Sequence, residues 1–321
     1  MASIKSIKQR IRSARNTAKI TKAMELVSAT KMRRSQQYAL RARPYAAASL
    51  ALLGNILARA DTEKPPPHPL FSKRSVTSRA LLVVTSDKGL AGAINSTVLK
   101  KADAWLAGHE DVPRTLITVG KKAKEYYERK GAPIVESFSG FGDYSEREET
   151  AAVADALLQG FLDGSWDEAA AVYTNFRTSL VQECVARPVL PATEEGLAEA
   201  VAGILPEHGR YASPDFRLPT SDFRHGVQQS TDSYRYEYVI EPSQDAVLSS
   251  VVPQLLRLHI HHIILEANAS EHSARMVAMK NASDSAGELI TDFTRLYNQA
   301  RQANITREIA EISAGAEALT E

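Results

Sequence analysis

The sequence is poor in what ordinary site chemistry needs. Cys184 is the single cysteine among 321 residues, which excludes a disulfide within the chain and a cysteine-based zinc site. No apolar run approaches the roughly eighteen residues of a membrane-spanning helix; ALLVV at 80–84 and HHIILEA at 261–267 are far shorter. The formal net charge is +1, so no global field points to nucleic acid or to an acidic substrate. Neither GxGxxG nor GxxxxGK[ST] occurs, nor HExxH, nor GxSxG, so nucleotide, zincin and hydrolase chemistry all lack their usual signatures.

Helix breakers are missing from both ends. Proline and glycine are absent from residues 1–43, the first of each being Pro44 and Gly54. After Pro253 no proline occurs, and only Gly287 and Gly315 interrupt the remaining residues. Acid is scarce at the start: Met1 to Arg34 holds ten lysines or arginines and the lone acid Glu25. A basic, acid-poor start fits either an organellar transit peptide or the basic face of a helix that belongs to the fold. The second reading is favoured, because apolar periodicity begins at once.

Ile4, Ile7, Ile11, Ala14 and Ala18 recur at the three–four spacing of a helical seam. As one helix, residues 2–59 span about 85 Å at 1.5 Å per residue. Leu289, Phe293, Leu296, Ala300 and Ala303 form a second stripe, within a stretch, 245–318, that spans about 110 Å as a helix. DTEKPPPHP at 61–69 stops the first helix, since consecutive prolines cannot continue it. The simplest packing joins the two ends as an antiparallel coiled coil, with small residues (Ala14, Ala18, Ala300, Ala303) in the seam and a weakly polar outer surface.

Between the ends, period and composition change. RALLVVTSD (79–87), RTLITVG (114–120) and AAAVYTNFRT (169–178) are continuous apolar runs of the kind buried strands carry. LAGAINSTVLKKADAWLA, KKAKEYYERKG and EREETAAVADALLQGFLDG read as the helices between them, the second closed by Gly131. Such alternation predicts an open, mostly parallel sheet, a Rossmann-like α/β domain. From Arg187 to about Ser233 the chain reads as irregular, with a short helix expected at 194–205; YRYEYVIEP (234–242) alternates like an antiparallel strand. The expected organisation is an N-terminal coiled-coil helix at 1–60, an α/β domain at 70–242 with an irregular insertion near 193–230, and a C-terminal coiled-coil helix at 243–321.

Four places invite a chemical reading. The turn SDKGLAGAIN (86–95) precedes a helix and could cradle phosphate, but its glycines match no phosphate-binding spacing; a tight turn closing a buried strand is the preferred reading. His259, His262 and Glu266 fall near one helical face at i, i+3 and i+7, a spacing able to hold a metal, against which stands ordinary packing of histidines. The basic face formed by Lys5, Lys8, Arg10, Arg12, Arg15, Lys19, Lys22, Lys31, Arg33 and Arg34 is solvated, binds nucleic acid, or meets acidic loops of a protein. With no aromatic before Tyr38, a protein partner ranks first. Cys184 reads as a plain buried thiol. No catalytic, cofactor or metal constellation emerges.

Four segments together resemble the gamma subunit of F-type ATP synthase: IKQRIRSARNTAKITKAMELVSATKMRRSQ (7–36), SDKGLAGAIN (86–95), ARMVAMKNASDSAGELI (274–290) and LYNQARQANITREIAEISAGAEAL (296–319). The resemblance implies a central rotor shaft inside a ring of alpha and beta subunits, three of each, with its base on the c-subunit ring beside epsilon. Nucleotide chemistry would reside in the beta subunits, and the chain itself would bind no cofactor. By the same resemblance Arg301, Gln302 and Thr306 are polar contacts to the ring, Met24 and Arg275 lie in motifs at that interface, and Tyr238 and Glu241 belong to the base that meets the c ring. EISAGAEAL would be the tip turning in a hydrophobic sleeve. The location implied is peripheral, on the inner face of an energy-transducing membrane, most simply the cytoplasmic side of a bacterial plasma membrane. The stretch 193–230 is longer than the family's usual linker, and a lone Cys184 excludes the two-cysteine switch of chloroplast-type relatives.

Overall fold

The computed structural model describes residues 4–41, 69–71, 74–142, 145, 147–191 and 244–317. The expectations for 42–59, 61–68, 193–230 and 234–242, with Tyr238 and Glu241, lie outside the described residues. The elements in chain order are α1 (Ile4–Arg41), a 3-10 turn (Pro69–Phe71), β1 (Arg79–Val84), α2 (Ile94–Ala107), β2 (Arg114–Val119), α3 (Lys121–Lys130), β3 (Ile134–Phe138), α4 (Arg147–Leu162), β4 (Glu168–Phe176), β5 (Gln182–Leu190) and α5 (Gln244–Glu317). α5 is a single 74-residue helix that carries Pro253 within it. Contacts divide the chain into two compact units, residues 1–30 with 275–321, and residues 31–274. Both boundaries fall inside long helices.

The larger unit is the α/β domain. Its sheet runs β3-β2-β1-β4-β5; β1 pairs in parallel with β2 and β4, and β2 with β3, while β5 is antiparallel to β4. β1 is apolar throughout because both of its faces are covered. Ala80, Leu82 and Val84 join one core with Val153, Leu157 and Phe161 of α4 and Leu256, Ile260 and Ile263 of α5. Leu81 and Val83 join the opposite core with Val98 of α2 and Tyr127 of α3. Gly131 closes α3 in the left-handed conformation, φ 66°, and its N–H returns to the last turn, as the sequence leads one to expect. The two helices on that face are clasped by Asp103, which accepts from Tyr126 Oη at 2.5 Å, Tyr127 Oη at 3.2 Å and Lys130 Nζ at 2.7 Å.

Two strands, β3 and β5, escape the sequence reading. Residues from Arg187 were expected to be irregular, yet Gln182–Leu190 is β5, in register with β4 from Ala169 to Phe176. Its polar, proline-bearing sequence is tolerated because it takes the outer place beside β4, where Pro188 need not donate inward.

The smaller unit is the antiparallel coiled coil. Ile7 and Ile11 are buried, and Ile4, Ala14 and Ala18 are half-buried, so the α1 stripe faces inward as expected and continues through Thr21 and Ser28. On α5 the seam is in a different phase. Ala286 is buried and Ile290, Phe293, Tyr297, Ala300 and Asn304 are half-buried. Leu289 and Leu296 stand 48% and 46% exposed, and Ala303 is exposed. The expected stripe shares Phe293 and Ala300 with the real one but takes Leu296 where Tyr297 belongs. Tyrosine can bury its ring and keep its hydroxyl wet, and Arg10 lies 5.9 Å from the Phe293 ring centroid, within cation–π range.

Candidate functional site

The turn after β1 was the first candidate, and its polar groups are already used. Ser86 N–H donates to Asn95 Oδ1 at 3.0 Å, Asn95 Nδ2 donates to Ser86 Oγ at 2.7 Å, and Ser86 Oγ donates to the Lys88 carbonyl at 2.6 Å. Asp87 spans outward: its carboxylate accepts from Lys121 N–H at 2.9 Å and from Gly140 N–H at 2.8 Å. Lys121 is the first residue of α3, so a carboxylate of the chain itself occupies the helix N-terminus where a bound anion would otherwise gain from the dipole. Gly120, at φ 90°, lies so close to Thr85 that an added Cβ would fall 2.2 Å from its carbonyl oxygen. That close approach lets Thr85 Oγ1 accept from Ala123 N–H at 2.8 Å. The arrangement ties three loops at one edge of the sheet, as a tight turn should.

The histidine face of α5 is likewise committed to packing. His259 is buried, and burial, with a smaller push from Arg187, lowers it to about 4. Burial, reinforced by Arg147, lowers His261 to about 4 as well. His261 Nδ1 lies 2.8 Å from Thr150 Oγ1. Thr150 Oγ1 also reaches the Arg147 carbonyl at 3.1 Å, so one hydroxyl links the histidine ring to the first turn of α4. His262 and Glu266, both buried, approach to 3.8 Å. No group of three or more metal-capable side chains comes together among the described residues. Cys184 is half-buried and raised to about 11 by burial, which keeps it a thiol.

The coiled coil behaves differently. α1 leaves Ile20, Leu26 and Val27 exposed, and α5 leaves Leu289, Leu296, Ile305, Ile309 and Ile312 exposed. Ile309 and Ile312 reach 59% and 72%. Ile305, Ile309 and Ile312 follow i, i+4, i+7 and so share one helical face. The outer surface is thus greasier than its polar sequence suggested, because the seam phase turns leucines outward. Lys5, Lys8, Arg12, Arg15 and Lys19 are exposed alongside; the ion pair seen on this part of α1 is Lys22–Glu25 at 3.0 Å. Exposed apolar side chains, flanked by cations that have no ion pair among the described residues, describe a surface built to be covered.

Arg301, Gln302 and Thr306 are all exposed on this unit. Thr306 Oγ1 donates to the Gln302 carbonyl at 3.0 Å, leaving its lone pairs free. Met24 is half-buried. Arg275 is 7% exposed, so its guanidinium is satisfied within the chain and does not face solvent.

A family model described as ATP synthase matches residues 3–319. The ATP synthase gamma chain of Roseiflexus castenholzii is 37% identical over 324 residues, covering 100% of both chains. This chain belongs to the ATP synthase gamma-chain family. The gamma chain of Chloroflexus aurantiacus is 36% identical over 322 residues, again covering both in full, and that of a Cyanothece strain is 38% identical over 326 residues, covering 99% of this chain and 100% of its own. The fold matches the rotor of the Euglena gracilis mitochondrial ATP synthase with TM-score 0.57 at 18% identity, over 94% of this chain and 98% of that one. A second Euglena gracilis structure, in rotational state 3, gives TM-score 0.61 at 18% identity over 98% of this chain and 94% of that one. The exposed isoleucines of α5 are what sequence reasoning missed; the signal available was their shared i, i+4, i+7 face, on the side away from Ala300.

Proposed function

We propose that the chain is the central-stalk rotor subunit of an F-type ATP synthase, coupling ion flow through a c ring to ATP synthesis or hydrolysis at beta subunits by rotation. Its coiled coil would turn inside a ring of three alpha and three beta subunits, and its base would meet epsilon and the c ring through the segment that holds Tyr238 and Glu241. The observation that most supports this reading is the row of exposed apolar side chains on the coil, Ile305, Ile309 and Ile312 above all, in a chain whose family match runs end to end. A shaft that must pass three like sites needs contacts that bias each site in turn and then break. Scattered apolar and polar contacts do that; buried ion pairs do not.

Arg301, Gln302 and Thr306 are the proposed polar contacts to the ring. Met24 and Arg275 would act from the seam side, shaping that surface without lying on it. The turn at 86–95 spends its own polar groups, which supports a chain without a catalytic site of its own: the beta subunits would do the chemistry. The chain would sit peripherally on the inner face of the membrane, held by its partners; no helix among the described residues is long and apolar enough to cross one. Purifying the tagged chain from its native membranes tests this. Alpha, beta and epsilon subunits with ATPase activity should co-purify. A chain recovered alone while the synthase stays intact would end the reading.

A further inference from the structure

Between Arg257 and Ser273, α5 is gripped by polar bonds from two opposed sides. At 100° per residue, Arg257, His261 and Asn268 point within a narrow arc, while Ser270 and Ser273 lie about half a turn away. The first row reaches α4 and the segment before it. Arg257 Nε donates to Asp155 Oδ1 at 2.7 Å, His261 Nδ1 meets Thr150 Oγ1 at 2.8 Å, and Asn268 Nδ2 donates to Ser145 Oγ at 3.0 Å. The second row reaches the end of β4 and the turn into β5. Ser270 Oγ donates to the Thr174 carbonyl at 3.2 Å, and Ser273 Oγ donates to the Ser179 carbonyl at 2.6 Å while accepting from Gln182 Nε2 at 3.3 Å. Thr150, Ser145, Thr174, Ser270 and Ser273 are all buried.

The apolar face of α5 (Leu256, Ile260, Ile263, Ile264) lies between the two rows. Apolar burial is non-directional and would tolerate a small turn of the helix in its groove. Hydrogen bonds weaken steeply with angle, and two rows on opposite sides resist rotation in either sense. A turn of α5 would strand buried hydroxyls and carbonyls on both sides together, which a buried polar network does not tolerate.

We propose that these two opposed rows lock α5 against turning within the α/β domain and so carry torque between that domain and the helix. The inference rests on the rotor reading and names the residues that make the rotor stiff. Arg257, His261, Asn268, Ser270 and Ser273 are positioning residues; none need touch a partner.

The test uses the assembled complex of alpha, beta and the full chain, with a probe bead fixed to the α/β domain, so that the torque read must pass through the lock. Ser270→Ala with Ser273→Ala, and separately Thr150→Val, should leave unloaded ATP hydrolysis within about twofold while the torque delivered against viscous load falls by about half or more, the mark of a lost directional contact. Thr150→Ser, which keeps the hydroxyl, should restore the torque. Hydrogen exchange on the isolated variants should remain slow in β1 and β2 and quicken in 266–274, which separates a loosened lock from an unfolded domain. Unchanged torque in both variants, or hydrolysis and torque falling in proportion, overturns the lock. If the wild-type chain itself neither assembles nor turns the bead, the rotor reading falls, and the lock falls with it; a wild type that turns the bead beside variants that match it removes the lock alone.

Discussion

β1 buries five of its six residues, whereas residues 305–314 of α5 are all exposed. The α/β domain closes its apolar faces on both sides of the sheet and spends its polar groups internally, down to the Asp87 carboxylate on the N-terminus of α3. The coil does neither: it closes a thin seam and leaves isoleucines and cations outside. In the domain the exposed apolar side chains are scattered over turns and an outer strand, at Leu90, Val135, Leu180 and Val181; in the coil Ile305, Ile309 and Ile312 share one helical face. In a rotor this division is useful, since a stiff base and an incompletely satisfied shaft place the energy of assembly where contacts must change.

The largest effect that would break this contrast is in the core. Phe161 is fully buried and takes part in the main apolar cluster. Phe161→Ala should cost about 3–5 kcal/mol in a urea melt of the isolated chain. Ile309→Ala, on the exposed face, should change that stability by about 0.5 kcal/mol or less, yet weaken retention of the chain in the purified complex. Equal stability losses in the two variants would mean that the coil surface is already covered within the chain.

A second test sharpens the account of the domain through pH. His259 titrates near 4 in the fold against an ordinary value of 6.5. Above 6.5 the ring is neutral folded or unfolded and contributes no slope. As pH falls below 6.5 the unfolded chain takes the proton first, so stability declines toward pH 4, by at most about 1.4 kcal/mol per pH unit for this buried ring. His261, also near 4 but only half-buried, adds in the same direction and less. Melts at pH 7, 6 and 5 should show the decline, and His259→Gln should flatten part of it. Parallel curves for variant and wild type would mean that His259 is not held neutral by the fold.

Much of this was legible in the sequence, for physical reasons that differ by element. β1, β2 and β4 announce themselves because strands covered on both faces are apolar without alternation. α1 is legible because nothing in it breaks a helix, and α5 because no proline follows Pro253. β5 was not, since QECVARPVL carries charges and a proline and becomes a strand only by pairing with β4. The seam of α5 was found but mis-phased, because hydrophobicity alone prefers Leu296 to Tyr297 and cannot know that Arg10 lies against Phe293. The same error hid the exposed isoleucines. For Arg275 the sequence supplies a cation in a motif; only the fold says that it is buried.

The smallest effect is the most specific to function. Arg301 and Gln302 are exposed, and among the described residues neither side chain has an ion pair or hydrogen bond, so alanine at both should leave the melt of the isolated chain within about 0.5 kcal/mol. Nothing in the fold depends on them. If they touch the ring, they do so at only some rotor angles, and a contact made at some angles and not others changes the barrier between positions without much changing total binding. The pair should therefore lower ATP turnover in the assembled complex by roughly five- to thirtyfold, the equivalent of about 1–2 kcal/mol, with alpha, beta and epsilon retained in wild-type amounts. Loss of assembly instead would assign the two residues to static binding. Unchanged turnover in an intact complex would remove them from the interface and leave the isoleucine face to carry the contact alone.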